Sequence, residues 1–492
     1  MSEPLVEMGP RMSDAEGLMW RLEKDPYLSS TVANLTVLDS PPDMERLAQR
    51  MLRATRIVPR LRQRVQPALG LQPPVWVDDA DFDLTYHLRH LALAPPGDER
   101  DLFDLATLLT ADPFDRTRPL WQMVIIEGLS GGRAALLMRF HHTLMDGEGG
   151  ARLSLQFLDF ERDAPEKPVP PLTDAAPPPP PASAAEVARD VVTSTMRVPL
   201  GLAREWSELV ANPQRIPETS AAAVTQIRAI VRQLSDTKRA LSPLWTSRSL
   251  SRRLETLRAP FDDVKAAATA LGGSINTAFI TAAAEAAGRY HLAKGAPVDE
   301  LRASMAISTR TKQTREANAF TLARMLVPAS DMGLGERFKR IQEATDAARA
   351  ASGQASLNAL AGVTAALPTS LLVRIARQQT ETVDLATSNV RGSPVPLFLA
   401  GARVDENYPI GPTGGTAFNL TLLSYAGSLD MGLNIDAAAV EDPVLLRTLM
   451  EESFAELVSA GQPPRAKSAS KKSGAKKSGA KKPAKRTVKK VS

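Results

Sequence analysis

Apolar residues recur at helical intervals in "RLAQRMLRATRIVPRLRQRV", where Leu47, Met51, Leu52 and Ala54 lie near one face, so the pattern predicts an amphipathic helix. The segments "WQMVIIEGL" and "AALLMRF" are short apolar runs bounded by glycine, which predicts buried strands. They flank "SGG", a hairpin-like turn. Further on, "EVARDVVTSTMRVPLGLAREWSELV" reads as an amphipathic helix interrupted at Pro199, with Val187, Val191, Leu202, Trp206 and Leu209 at helical intervals. Packing as core or lid fits that face, and so does contact with a membrane surface. "DDVKAAATALGGSINTAFITAAAEAAGRYHLA" predicts two helices joined at Gly272 and Gly273, with Asn276 near the start of the second. "LRASMAIST" and "MGLNIDAAAV" read as strands. No uncharged apolar run is long enough to span a bilayer, and the best candidate, "GGSINTAFITAAAEAAG", is interrupted by Glu285 and reads as a buried helix.

These patterns divide the chain into an α/β unit at 1–163, a connector at 164–247, a second α/β unit at 248–461 and a tail at 462–492. The connector opens with a proline-rich stretch in which Pro177 to Pro181 form an extended, semi-rigid linker. The tail repeats KKSGA, has almost no apolar content and reads as disordered.

Composition changes this picture in two places. The chain has no cysteine, which excludes disulfides, thiolate metal sites and a cysteine acyl-enzyme, and fits a reducing compartment. With acids early and no apolar core of signal-peptide length, the N-terminus predicts a cytoplasmic protein. The net charge of +5 is concentrated at one end: residues 465–492 carry twelve Lys or Arg and no acid. Without them, 48 bases face 55 acids, so the body stands at −7 and gives no reason to expect nucleic-acid binding by the fold itself.

The chemistry concentrates in "RFHHTLMDGEGG", residues 139–150. Side chains alternate along a strand, so His141 and His142 cannot both face one pocket while the strand stays regular. That disfavours a metal pair, and no metal site is expected. One imidazole should face a reaction site and the other the packed interior. A neutral imidazole at the end of a buried strand suits general-base work near neutral pH. Asp146 and Gly147 should form a turn, with Asp146 clamping the loop by hydrogen bonds or an arginine pair, and "GEGGARLSLQFLDF" should open a helix. Two satisfied core histidines are the alternative. Against it, the full His-His-x-x-x-Asp-Gly pattern arises by chance in a chain of this size less than about once in a thousand.

HHTLMDG resembles the HHxxxDG motif of the coenzyme-A-dependent acyltransferase superfamily, which includes chloramphenicol acetyltransferase, carnitine acyltransferases and peptide-synthetase condensation domains. Further segments narrow the resemblance to the bacterial wax ester synthase/diacylglycerol acyltransferase family. "FDRTRPLWQ" is similar to its PLW segment at Pro119, Leu120 and Trp121, and the helix start at Asn276 is similar to its "NDVVLA" segment. "SNVRGSPVPLFLAGARV" is similar to its "SNVPGP" segment through Ser388, Asn389, Val390, Gly392 and Pro394, and "LTLLSYAGSLDMGLNIDAAAVEDP" to its final strand pair. The resemblance runs over roughly residues 11 to 458. Thr277 stands where the family has aspartate, Arg391 where it has proline, and "STRTKQTREANAF" keeps Arg310 and Asn318 without the usual intervening glycine. These departures bear on substrate preference.

The resemblance implies an α/β fold of two chloramphenicol-acetyltransferase-like domains with a central substrate tunnel at their interface. It implies long-chain acyl-CoA as a substrate, with no separate cofactor, and diacylglycerol or a fatty alcohol as acceptor. His142 would be the base and His141 a structural or orienting residue. Asp146 would hold the loop against Arg310 or Arg391. Asn276 and Ser388 are candidate oxyanion donors by family position, with a helix N-cap equally open for Asn276 and turn chemistry for Ser388 and Asn389. Asn389, Gly392 and Trp121 join the expected substrate-binding set, Trp121 as core or tunnel wall. Both substrates are apolar, which implies peripheral contact with the inner membrane or lipid bodies, and the basic tail could bind anionic lipid or nucleic acid or simply keep the chain soluble. A non-catalytic acyl-lipid-binding or lipid-body protein that keeps the fold is the alternative. A condensation-type acceptor is disfavoured, since the chain shows no carrier-protein domain.

Overall fold

The computed structural model describes residues 9–68, 73–172, 241–308, 320–352 and 369–461. The expected helical connector around Trp206, Arg310 and Asn318, and the basic tail, lie outside the described residues.

A seven-stranded mixed sheet forms the first half, in the order Leu88–Ala92, Trp121–Leu129, Arg133–His141, Thr31–Leu38, Ala402–Ile410, Phe398–Leu399, Leu158–Asp159. "SGG" closes the Trp121–Leu129/Arg133–His141 hairpin, with Gly131 at φ 80°. Strand Arg133–His141 is almost wholly apolar because both its faces are covered. Leu136, Met138 and Phe140 meet Leu47 and Met51 of helix Met44–Ile57, while Ala135 and Leu137 meet Leu102, Phe103 and Ala106 of helix Glu99–Ala111. Its inner charge, Arg139, is buried and spent on the structure. The guanidinium donates to Gln122 Oε1 at 3.0 Å and to the carbonyl of Asp112 at 2.7 Å, closing the C-terminus of helix Glu99–Ala111.

The helical spacing read through Val65 stops earlier. Asp43 caps the helix, accepting from the N–H of Glu45 and Arg46, and the helix ends at Ile57 because Pro59 has no N–H to continue it. The chain then turns and runs as strand Gln63–Gln66.

A six-stranded sheet forms the second half, in the order Phe320–Pro328, Glu300–Ser308, Leu385–Arg391, Phe418–Tyr425, Ser428–Asp436, Arg252–Pro260. Helices Phe261–Ala270, Ile275–Ala293, Leu334–Ser352 and Pro443–Gly461 pack on it around a core rich in alanine. The strand expected over "MGLNIDAAAV" ends at Asp436. That buried carboxylate accepts from the N–H of Ser249 at 2.7 Å and of Ala438 at 3.0 Å, which turns the chain before Val440.

The two halves are not sequential blocks. Ala402–Ile410, from the range assigned to the second unit, pairs antiparallel with Thr31–Leu38 in the first sheet. The second sheet then packs on this strand from its other side. A Cβ on Gly432 would fall 2.0 Å from the Pro409 carbonyl, so only glycine allows the strands to approach this closely. Asn434 donates to the Gly411 carbonyl at 2.9 Å, Asn419 to the Pro412 carbonyl at 2.7 Å, and buried Asp430 accepts from Asn407 N–H at 2.8 Å. Side chains of the second sheet thus satisfy backbone groups of this strand and of the two residues that follow it.

Candidate active site

Backbone hydrogen bonds place the histidine pair. His141 N–H donates to the Leu120 carbonyl at 3.0 Å and ends the strand, and His142 N–H donates to the Ser30 carbonyl at 2.9 Å. The chain turns at once, with Leu144 N–H reaching back to the His141 carbonyl at 2.9 Å. Asp146 then caps helix Gly147–Ser154, its Oδ1 accepting from Gly149 N–H at 2.8 Å. This is the hydrogen-bond clamp expected of Asp146.

The two imidazoles have different surroundings. His141 is fully buried and its ring nitrogens are engaged. Nδ1 accepts from the Thr143 N–H at 3.1 Å and lies 2.8 Å from Thr143 Oγ1. Nε2 meets the carboxylate of Glu23, and the edge of Trp20 closes the ring in at 6.1 Å. His142 is half-buried.

Sequence reasoning did not single out Glu23 or Thr143. Burial pushes the Glu23 carboxyl up, but its contacts with His141, Ser29 and Arg116 together hold it below the ordinary carboxylate value. One signal was available. Glu23 is the C-cap residue of helix Asp14–Leu22, where the helix dipole disfavours an acid, so a carboxylate there points to another partner.

The distant segments meet the motif through Gly147. A Cβ on Gly147 would lie 3.0 Å from Val390 Cγ2, so glycine lets the motif helix rest on strand Leu385–Arg391. Ser388 and Asn389 therefore belong to a strand, not a turn. Alternation puts Ser388 on the Val390 face, toward the motif helix, and Asn389 on the opposite face. There Asn389 Nδ2 donates to Asn276 Oδ1 at 3.5 Å, and Asn276 Nδ2 lies 3.3 Å from Met305 Sδ. The N-cap of helix Ile275–Ala293 is Ser274, which accepts from Thr277 N–H at 3.2 Å, so Asn276 is not the cap. Thr277, at the family's aspartate position, is buried and contacts Gln342 Oε1 at 2.5 Å.

Two of the singled-out residues are tied into the frame. Gly392 N–H donates to Ser424 Oγ at 3.3 Å, and a Cβ there would lie 2.4 Å from the Ser424 carbonyl. Trp121 is fully buried, donates to the Leu61 carbonyl at 2.8 Å and stacks on His87 at 4.6 Å, which places it in the core. Among the described residues, no group of three or more His, Cys, Asp or Glu is arranged to hold a metal ion. No helix among them is long and apolar enough to cross a membrane.

A half-buried imidazole at a strand end, next to a capped glycine-rich helix that rests on a strand of the second mixed sheet, defines an acyltransferase of the HHxxxDG class. Residues 12–279 match the wax ester synthase/diacylglycerol acyltransferase catalytic domain, and residues 316–458 match the C-terminal domain of the same family. The chain belongs to the wax ester synthase/diacylglycerol acyltransferase family. It is similar to a Mycobacterium tuberculosis protein named as a diacylglycerol O-acyltransferase, with 33% identity over 94% of this chain and 95% of that one. A second relative from that organism, the diacylglycerol O-acyltransferase tgs1, is 27% identical over 90% of this chain and 94% of its own length. Two solved structures share the fold. The wax ester synthase/diacylglycerol acyltransferase from Marinobacter aquaeolei VT8 matches with TM-score 0.62 and 24% identity, over 92% of this chain and 100% of that one. The first condensation domain of the CDA synthetase matches with TM-score 0.56 and 15% identity, over 94% and 98%.

Proposed function

We propose that this O-acyltransferase moves a long-chain fatty acyl group from acyl-CoA to the hydroxyl of diacylglycerol, of a long-chain alcohol, or of both, with His142 as general base. One observation carries the assignment of the base: His141 is buried with both ring nitrogens engaged, while His142 is half-buried at the end of the same strand. A general base must reach the proton it removes, and His141 has neither access nor a free nitrogen.

His142 takes the proton of the acceptor hydroxyl, and the oxygen attacks the thioester carbonyl. The tetrahedral oxyanion collapses, the carbon–sulfur bond breaks, and the sulfur leaves as the coenzyme A thiol with the proton that His142 carried. Pre-placed donors lower the energy of the oxyanion. Ser388 is the candidate on the motif side, and Asn276 is the candidate on the Asn389 side. The absence of cysteine favours direct transfer between the two substrates over a covalent enzyme intermediate.

Both lipid substrates bring the enzyme to a membrane or lipid-body surface on the cytoplasmic side, and the twelve bases of residues 465–492 supply the contact with anionic headgroups. Deleting residues 465–492 should weaken binding to anionic liposomes at low salt and leave turnover of dispersed substrate intact. Unchanged liposome binding removes that role from the tail. The test of the reaction is incubation with labelled palmitoyl-CoA and either diacylglycerol or hexadecanol, with lipids separated afterwards. His142→Ala should lower ester formation by at least about 100-fold. No ester above that control with either acceptor would leave a lipid-binding protein on an acyltransferase fold.

A further inference from the structure

Glu23 touches residues on both sides of His142 and of the carbonyl that receives its N–H. Its Oε1 accepts from Ser29 Oγ at 3.1 Å and from Thr31 Oγ1 at 3.4 Å. Those residues flank Ser30, whose carbonyl receives the His142 N–H at 2.9 Å. Its Oε2 meets Nε2 of His141 and lies 3.9 Å from the Arg116 guanidinium. The carboxylate is well shielded, with 13% of its side chain exposed.

The His141 ring carries the constraint across the motif. Thr143 N–H points at Nδ1, so Nδ1 is the acceptor and the ring proton sits on Nε2. Nε2 is in contact with the Glu23 carboxylate. Remove the carboxylate, and the buried imidazole N–H is left without it, which favours a turn of the ring away from Thr143. His142 therefore sits between two stretches of chain that the one carboxylate contacts. On one side are Ser29 and Thr31, holding the carbonyl that grips its N–H, and on the other is the His141–Thr143 bond.

We propose that Glu23 is a positioning residue for acyl transfer: through His141, Ser29 and Thr31 it fixes the backbone on both sides of His142. The inference rests on His142 being the base. It concerns orientation, so its signature lies in kcat. A displacement of about 1 Å at a reacting group costs on the order of 100-fold.

The test is steady-state kinetics on the full chain with palmitoyl-CoA and the better acceptor, with circular dichroism and melting curves on each variant. Glu23→Ala should lower kcat by about 100-fold and move KM for palmitoyl-CoA by less than about 3-fold. Glu23→Gln keeps an oxygen acceptor for the Nε2 proton and should return kcat to within about 10-fold of the native enzyme. The double variant Glu23→Ala/His141→Ala should lose little more than the worse single variant, since the two act as one unit. Should Glu23→Ala fail to fold, Glu23→Asp takes its place, one methylene short of the imidazole, with at least a 10-fold loss expected, on the order of an unmade hydrogen bond. A folded Glu23→Ala with kcat within about 3-fold of native overturns the proposal, as do kcat losses that multiply in the double variant or a Glu23→Gln no better than Glu23→Ala. His142→Ala separates the two readings. If it keeps native turnover, the base assignment fails; if it is inactive while Glu23→Ala is not, only the positioning role fails.

Discussion

Among the described residues, two buried histidines, one in each half, lie against a hydroxyl or a carboxylate, and only the first half has the makings of a reaction centre. In the second half, Ser242 Oγ lies 2.7 Å from His291 Nε2, and Asp384 binds the same turn. By residue type it looks like a hydrolase triad. The bonds say otherwise. His291 Nδ1 donates to the Ala287 carbonyl at 2.7 Å, and Ser242 Oγ also accepts from the N–H of Leu244 and Trp245. Asp384 gives its oxygens to the N–H of Leu241, Ser242 and Arg302, not to the imidazole. All three side chains are buried. In the first half, His141 is spent in the same way, but its neighbour His142 is half-buried. A base needs both a nitrogen within reach of the substrate and a frame that holds it. The Ser242–His291 knot has the frame without the reach.

The comparison breaks most visibly at Asp384. Asp384→Ala orphans three backbone donors beneath the second sheet and should lower stability by about 4 kcal/mol, read by denaturant unfolding, with kcat of the folded fraction unchanged. Turnover lost from folded Asp384→Ala or Ser242→Ala would make the knot part of the chemistry.

His87 gives the next largest effect and tests the rule that a sealed imidazole carries stability. It is buried between Phe82 and Trp121, donates to the Trp121 carbonyl at 2.7 Å, and burial pulls it down to about 4 from 6.5. Between pH 6.5 and 4 the unfolded chain takes up a proton that the folded chain refuses. Stability from this group is therefore complete above pH 6.5, falls as the pH drops and levels off below about 4. The drop should reach about 3 kcal/mol, and His87→Phe should flatten it. A wild-type slope that persists in His87→Phe would assign the effect elsewhere.

Asp146 gives the smallest effect. Losing its cap on helix Gly147–Ser154 through Asp146→Ala should cost about 1 kcal/mol, and Asp146→Ser should restore most of it, by thermal unfolding. Because this helix rests on Val390, the loss should also appear in kcat. A variant that melts earlier but turns over normally would make the cap purely structural.

Much of the site was legible in the sequence because local rules govern it. Strand alternation separated His141 from His142, and Asp146 followed by glycine pointed to a turn clamped by hydrogen bonds, which the structure shows as a helix cap. Both depend on neighbours a few residues away. Where the competing local signals were close, they misled. Asn276 was an eligible cap, but Ser274 two residues earlier takes the position. Ser388 and Asn389 suit turns, yet pairing with Thr421 and Leu422 of the neighbouring strand holds them extended.

The sequence alone determined that the paired histidines have different surroundings, that a helix opens at the glycines after them, and which family the chain resembles. These follow from spacing of 2.0 and 3.6 residues and from a motif contiguous in the chain. Tertiary structure decided three things: that Glu23 closes on His141, that Gly147 meets Val390, and that Ala402–Ile410 joins the first sheet beside Thr31–Leu38. Each joins residues far apart in the chain, and no local propensity selects such a partner. They are fixed by which buried polar groups and close backbone approaches can be satisfied at once when the two halves pack together.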